Sequence, residues 1–273
     1  MFQYRKEGLA LALPAAVFTA VVFLLPVGIL LSEAFKVGGL WSIQGYFDFA
    51  AKPLNQTVFL RTLKLGFLVA LVSAIIGYAC AFCIVNLDGK HRGRVFGLIV
   101  LPLMISPVAR TYAWIVILGR TGIVNETIIG LGLSETPIRI LFTETAVFIG
   151  LLQLFLPLMI IALVSAMENL PSDVIPAARV LGANWFQVFT KIILPLTKDG
   201  LVIGGTLVFT GSLTAYITPA ILGGSKVLML ETLLYQRVNV ANDFVSAGII
   251  ATILIVMSFG ANLLLKRIAT ARA

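Results

Sequence analysis

The sequence predicts an all-α integral membrane protein. Six transmembrane helices are expected, with a cytosolic element between spans 4 and 5. Three observations carry this. Only 12% of the 273 residues are charged, 59% are hydrophobic, and the mean hydropathy is +1.04. A soluble domain carries about 25% charged residues, so this chain has too little polar surface to cover a water-exposed globule of its size. Apolar runs of spanning length recur along the chain. One segment in the second half, residues 170–195, cannot sit in lipid, although long apolar runs flank it.

Residues 1–8 are polar and carry Arg5 and Lys6. The apolar run 9–31 exceeds the roughly 7–15 residues of a signal-peptide core, and Ser32-Glu33-Ala34-Phe35-Lys36 is a poor cleavage site. It is read as the first span, amino terminus inside, with Pro14 and Pro26 tolerated near its ends. Residues 32–57 read as a mixed periplasmic loop with Trp41, Tyr46, Phe47 and Phe49, which suit the outer interface or a contact surface. The second span, 58–85, enters through Arg61 and Lys64. Its Cys80 and Cys83 read as small hydrophobes, without the further ligands of a zinc site. Residues 88–94 form a tight basic loop that holds the sole histidine, His91, read as solvated.

The third span covers 95–118. Residues 119–143 read as an outer loop with a short amphipathic helix, 124–133, between Gly122 and Pro137. The fourth span is 144–166, with Gln153 and Pro157 inside it. The fifth is 200–222, an outer loop follows over 223–243, and the sixth is 244–265. Six spans put both termini on one side. Arg5, Lys6, Lys90, Arg92, Arg94, Arg179, Lys191, Lys198, Lys266, Arg267 and Arg272 then fall inside, as the positive-inside rule asks. The same rule places 170–195 in the cytosol. The net charge of +8 sits at the ends of apolar runs, so a nucleic-acid partner is not expected.

Within 170–195, Asp173 stands where a helix N-cap belongs, and Pro176 then falls in the first turn, where its missing N–H has no partner to lose. Val174, Ala177, Ala178 and Leu181 share a face, with Trp185 a turn further on. Gly182 is a left-handed stop. Helical spacing resumes through Trp185, Val188, Phe189 and Ile192, and Pro195 ends the second helix. Periodicity alone leaves two readings open: an interfacial helix, or a knob that carries motion from a soluble partner to the spans.

The spelling of this stretch resembles the EAA loop of permeases of binding-protein-dependent type I ABC importers. That pattern is Glu-Ala-Ala, three residues, Gly-Ala, then Phe, a β-branched residue and Leu-Pro. Ala177, Ala178, Gly182, Ala183, Phe189, Ile192, Leu194 and Pro195 fall in register, Leu170-Pro171 matches the lead-in, and Arg179 is a common companion. The five-span layout is similar from residue 58 onward, giving a 1–57 N-terminal helix and loop and a 58–268 permease core. The resemblance implies the type I ABC importer fold and a bacterial inner membrane protein that binds no cofactor itself. It implies ATP and Mg on a cytosolic ABC ATPase dimer docking at Asp173, Pro176, Ala177, Ala178, Arg179, Gly182, Ala183 and Phe189. It also implies a second permease subunit, identical or related, and a periplasmic solute-binding protein. One position departs: Pro176 stands where the family has its acid, which puts that polar contact in doubt, and Asp173 one turn earlier is the substitute to test.

Residues 106–114 and 212–224 are similar to permeases of polyamine-type importers, a group that also serves opines and related amino compounds. The expected solute path draws on Arg110, Tyr112, Trp114, Gln153, Ser212, Thr214, Tyr216 and Thr218, because polar residues at bilayer depth need a reason. Arg110 has two readings: a cavity or gate residue paired with Glu144 or Asp243, or an arginine reaching for the outer interface. Close helix packing by small residues is the other reading of Gly211 and Ser212. No phosphate loop GxxxxGK[ST] occurs, so the chain is expected to be a transport subunit and not an enzyme. An ion-coupled secondary transporter and an intramembrane lipid-modifying enzyme are the alternatives. The first lacks buried acids for coupling, the second a catalytic cluster at membrane depth.

Overall fold

The computed structural model describes residues 12–37, 40–171 and 173–270. Arg5, Lys6, Arg272 and the start of the first apolar run lie outside the described residues. Helix α1 is Ala12–Glu33. Its Ala20–Leu24 stretch is a widened π turn, with the Leu25 N–H on the Ala20 carbonyl. The turn lies just before Pro26, whose ring would otherwise meet the carbonyl four residues back.

Residues 32–57 are more ordered than the mixed loop expected. They fold into a hairpin, β1 (Lys36–Val37) paired with β2 (Leu40–Trp41), and helix α2 (Gln44–Ala51). Local polar bonds do this: Ser42 Oγ accepts the Gln44 N–H at 3.0 Å and the Asn55 amide donates to the Phe49 carbonyl at 2.9 Å. Phe49 is buried, whereas Trp41 and Phe47 stay exposed.

Helix α3 (Pro53–Val85) is the longest, with 33 residues, roughly 50 Å at 1.5 Å per residue. The basic stretch after it is the first turns of α4 (Gly89–Val100), not a loop. Asp88 precedes that helix and binds the exposed His91 ring at 2.7 Å. The third span is also not one straight helix. A 3₁₀ turn, Leu101–Met104, ends α4, and the path to α5 (Pro107–Leu118) and α6 (Ile123–Gly130) bends by 97°. Pro107 forces Ser106 into an extended conformation, ψ 130°, because proline excludes the helical region for the residue before it.

Helix α7 (Glu144–Glu168) is the fourth span. Then come α8 (Val174–Val180), α9 (Trp185–Leu196) and α10 (Lys198–Thr214), with a 71° bend between α9 and α10. The fifth span is shorter than expected. It stops at Thr214, Ala215 is extended at ψ 119°, and α11 (Ile217–Leu222) follows. In an unbroken helix the Pro219 ring would meet the Ala215 carbonyl, and the break falls there. The loop after it contains α12 (Leu230–Asn239), and α13 (Phe244–Thr270) is the last span. Among the described residues four unbroken helices are long and apolar enough to cross a membrane, and six spans result when each bent pair counts as one.

The chain forms two compact units, residues 1–57 with Leu233–Ile255, and Val58–Thr232 with the segment from Val256 onward. In the first, Gly248 of α13 lies so near α1 that a Cβ would come within 2.9 Å of the Ala34 Cβ. Tyr46 donates to the Thr252 hydroxyl at 3.1 Å, and Asp243 caps α13 by accepting the Ser246 N–H at 3.0 Å. In the second unit, α7 is the centre. A Cβ on Gly200 would stand 2.4 Å from Ala166, one on Gly204 2.7 Å from Met159, one on Gly77 2.8 Å from Met159, and one on Gly150 2.5 Å from Thr218. At its N-terminal end Glu144 binds Arg61 at 2.8 Å and Lys64 at 2.6 Å, and Arg61 also donates to the Leu228 carbonyl at 3.1 Å.

Two outcomes follow from this packing. Gly200→Val should destabilise the second unit by about 1–3 kcal/mol, the usual cost of overpacking, read as a lower thermal midpoint in detergent; an unchanged midpoint would show that α7 and α10 can part freely. Burial works against the charge of Asp243, yet Ser246, Arg237 and Lys52 together hold its carboxyl below its ordinary value. Such a group stabilises above its unfolded pKa and loses that contribution as pH falls through the folded pKa. Asp243→Ala should therefore cost about 1 kcal/mol at neutral pH, and its melting curve should approach the parent's as pH falls below the usual carboxylate range.

Candidate functional site

Residues 170–195 build a rigid corner. Val174, Ile175 and Pro176 are the first three residues of α8, so Pro176 gives up no helical hydrogen bond. Asp173 occupies the N-cap position without a capping hydrogen bond from its side chain. Gly182 stops α8 at φ +80°. Its N–H binds the Arg179 carbonyl at 3.0 Å, and the Ala183 N–H binds the Ala178 carbonyl at 3.0 Å. That pair of bonds is a Schellman end. Asn184 then starts α9 with a reciprocal capping box: its side chain accepts the Gln187 N–H at 2.9 Å, and the Gln187 side chain accepts the Asn184 N–H at 3.0 Å. Pro195 does not end α9. It follows a π turn, Phe189–Ile193, and the helix continues to Leu196 before turning at Thr197.

Aromatic and polar contacts clamp this corner to α3. The Trp185 ring meets Phe82 at 4.7 Å and the Phe189 ring meets Tyr78 at 5.4 Å, both edge-on. The fully buried Thr197 shares a 3.1 Å hydrogen bond with the Tyr78 hydroxyl. The face of α8 differs from the one its periodicity drew. Ile175 and Ala178 turn inward to the core, while Ala177 is exposed and Val180 and Leu181 are each 87% exposed. Arg179 is exposed too, with its guanidinium 6.0 Å from the Trp185 ring. Of the eight coupling residues named from sequence, Ala178 and Phe189 pack inward, Ala183 is half-buried, and Asp173, Pro176, Ala177, Arg179 and Gly182 lie at the surface.

The expected solute-path residues do not converge on one place. Arg110 lies in the first turn of α5 with Nε and Nη1 enclosed and unpartnered. Neither expected carboxylate serves it, since Glu144 binds Arg61 and Lys64, and Asp243 lies 3.7 Å from Arg237. Tyr112 is exposed, Trp114 packs against the core, and Gln153 is half-buried. Ser212 is buried and donates to the Val208 carbonyl at 2.7 Å. Thr218 is buried against Thr111, hydroxyl to hydroxyl at 3.3 Å. These two serve helix packing inside the unit. Tyr216 sits half-buried at the break before α11, and Thr214 is exposed at the end of α10.

Comparison with known proteins decides what this arrangement is. Residues 136–271 match the family described as the binding-protein-dependent transport system inner membrane component. The spermidine/putrescine transport system permease protein PotB of Haemophilus influenzae is 37% identical over 222 residues, which cover 79% of this chain and 78% of that protein. PotB of Escherichia coli is 34% identical, covering 75% of each chain. The chain belongs to this family. It is an ABC importer permease subunit and a multi-pass inner membrane protein. The fold agrees: a chain of a bacterial alginate ABC transporter superposes with TM-score 0.81 at 18% identity, covering 98% of this chain and 96% of that one. A chain of the MetNI methionine ABC transporter superposes with TM-score 0.56 at 17% identity, covering 81% of this chain and 99% of that one.

Sequence reasoning missed Tyr78, Phe82 and Thr197 as the permease's anchors for the loop, because their partners are distant in the chain. The Asn184 capping box was legible, since Asn followed three residues later by Gln is a helix-start signature. The permease variant Gly182→Ala forces a Cβ into the left-handed region at a cost of about 1–2 kcal/mol. It should insert in the membrane normally but fray α8, read as faster tryptic cleavage at Arg179 in membrane vesicles; cleavage at the parental rate would show that the turn adapts.

Proposed function

We propose that this permease imports a small polar amino compound, polyamine-like or opine-like, driven by ATP hydrolysed on separate cytosolic subunits. A periplasmic binding protein delivers the solute, and a second permease, identical or related, completes the pathway. Both termini and the 170–195 corner face the cytosol. The observation that carries this reading is the exposure of Val180 and Leu181. Two large apolar side chains, on the last residue of a seven-residue helix and on its C-cap, held by a Schellman end and a capping box, are a costly feature unless a partner covers them. An ABC ATPase dimer, holding ATP and Mg, is the partner that the family supports.

In this reading Ala177, Arg179, Val180 and Leu181 meet the ATPase, and Asp173 supplies the acid that Pro176 lacks. Ala178, Ala183 and Phe189 hold the helix in place against the spans. The two PotB relatives, permeases of spermidine/putrescine transport systems, support a polyamine-like solute, and the small amino solutes of that group need no enzyme chemistry from the permease.

The test is co-expression with the ATPase and binding protein. Leu181→Asp should abolish co-purification of the ATPase and lower ATP-dependent uptake by roughly tenfold or more. Asp173→Ala should weaken ATPase assembly more mildly, and an unchanged turnover would remove Asp173 from the contact. Full uptake by Leu181→Asp would overturn the docking assignment.

A further inference from the structure

A groove of about 510 Å³ opens on the second unit between α7, α10 and the later half of α13. Thr206, Thr210 and Thr214 line it from α10 at a four-residue spacing, and Ser258 and Asn262 face them from α13 at the same spacing. Phe155 and Phe259 supply aromatic walls. The place of Phe155 is fixed by Gly211, where a Cβ would stand 2.5 Å from the ring. Phe155, Thr206 and Ser258 fall near the middle of their helices and Thr214 at the end of α10, so the groove runs from bilayer depth toward that end.

Its polar groups differ from most hydroxyls elsewhere in the spans, where only Ser73 of α3 is likewise buried and unpartnered among the described residues. The hydroxyls of Thr62, Thr111, Thr197 and Ser212 each donate to the carbonyl four residues back. This is the usual way a membrane helix satisfies a hydroxyl. In the groove, Thr206, Thr210, Ser258 and Asn262 make no side-chain hydrogen bond among the described residues, and Thr210 Oγ1 is enclosed. Thr214 donates to the Thr210 carbonyl at 3.0 Å, which leaves its oxygen able to accept. Lipid tails offer these groups nothing, and an unsatisfied polar group in hydrocarbon is costly. No carboxylate lines the groove.

We infer that this groove is a stretch of the solute path that takes an alkylammonium group. Hydroxyl and amide oxygens accept its N–H bonds, the two phenylalanines cover its methylenes and face its charge, and no carboxylate holds it fast. A site that must release its cargo benefits from such weak neutral contacts. The inference rests on the importer reading and adds the residues and the chemistry of passage.

The experiment uses the whole transporter with Cys80 and Cys83 replaced by Ser. Single cysteines go in at Thr206, Thr210, Ser258 and Asn262, and at Ile203 and Leu263 as controls, both exposed on the same helices. A membrane-impermeant thiol reagent should modify the groove cysteines several-fold faster than the controls, and putrescine or spermidine during turnover should protect them. Asn262→Leu and Thr206→Val should each lower uptake of the same amines by roughly tenfold with the ATPase still co-purifying. Groove cysteines as unreactive as the controls would place the groove against lipid and overturn the inference. So would cysteines dark to the reagent but crosslinked to the second permease. Either result with intact uptake by the parent leaves the importer reading standing, whereas a parent that assembles no ATPase and takes up no amine defeats that reading itself.

Discussion

Close approach of backbones to α7 is the constraint on which the permease core depends. Spans in a bilayer gain no hydrophobic drive from meeting one another, because lipid tails are as apolar as leucine. Van der Waals contact must supply the association, and glycine lets it begin at the backbone. Gly200 and Gly204 of α10 lie on Ala162, Ala166 and Met159 of α7. Gly77 of α3 presses on Met159 and Leu163, and Gly150 of α7 itself receives Thr218 and Leu222 from α11. Helices from before and after α7 in the chain thus meet the same pillar. Buried Leu151, Met159, Leu163 and Ala146 on α7 fill what the glycines leave.

The elements that punctuate the spans follow from proline and from local hydrogen bonds. Pro26 and Pro195 each follow a π turn, which takes up the misfit of a ring inside a helix. Pro107 and Pro219 mark the two places where an apolar run breaks. The helix count and the helical corner could be read from composition, run length and the spelling of residues 176–195. The bends at 105–106 and Thr197 and the break at Ala215 could not, because hydropathy carries no angle. Pro107 and Pro219 were the available signal for the two breaks, and neither encodes an angle. In α8 the periodicity set Ala177 and Leu181 beside Ala178, but a helix of seven residues turns through barely two turns. Which side faces the core was decided by Trp185 on Phe82 and Phe189 on Tyr78, contacts that local spacing does not encode.

The candidate path shows the same division. Arg110, Thr214 and Tyr216 stood out because polarity at bilayer depth is rare, and that rule selects residues without saying which way they point. Ser212 and Thr218 satisfy the rule and still face the packing. The discriminating quantity is whether a hydroxyl returns to its own backbone, and only coordinates supply it. Ser258 and Asn262 drew no notice in a sequence where α13 reads as uniformly apolar.

Helix α10 links the two proposed activities physically. It begins at Lys198, one residue after Thr197, whose buried hydroxyl ties the corner to Tyr78 of α3. Its groove face begins at Thr206, roughly 12 Å further along at 1.5 Å per residue. α8 leaves α7 after three residues of connecting chain, 169–171, with one undescribed residue before Asp173. A push on Val180 and Leu181 therefore has little slack to take up on the α7 side, and on the other side passes through a capped helix into α10. α10 is held on α7 by glycines that permit sliding better than interdigitated side chains would. A displacement at the 170–195 corner would then shift Thr206, Thr210 and Thr214 relative to Phe155, which belongs to α7. The same close packing that assembles the core in lipid sets the wall of the groove directly against its neighbour.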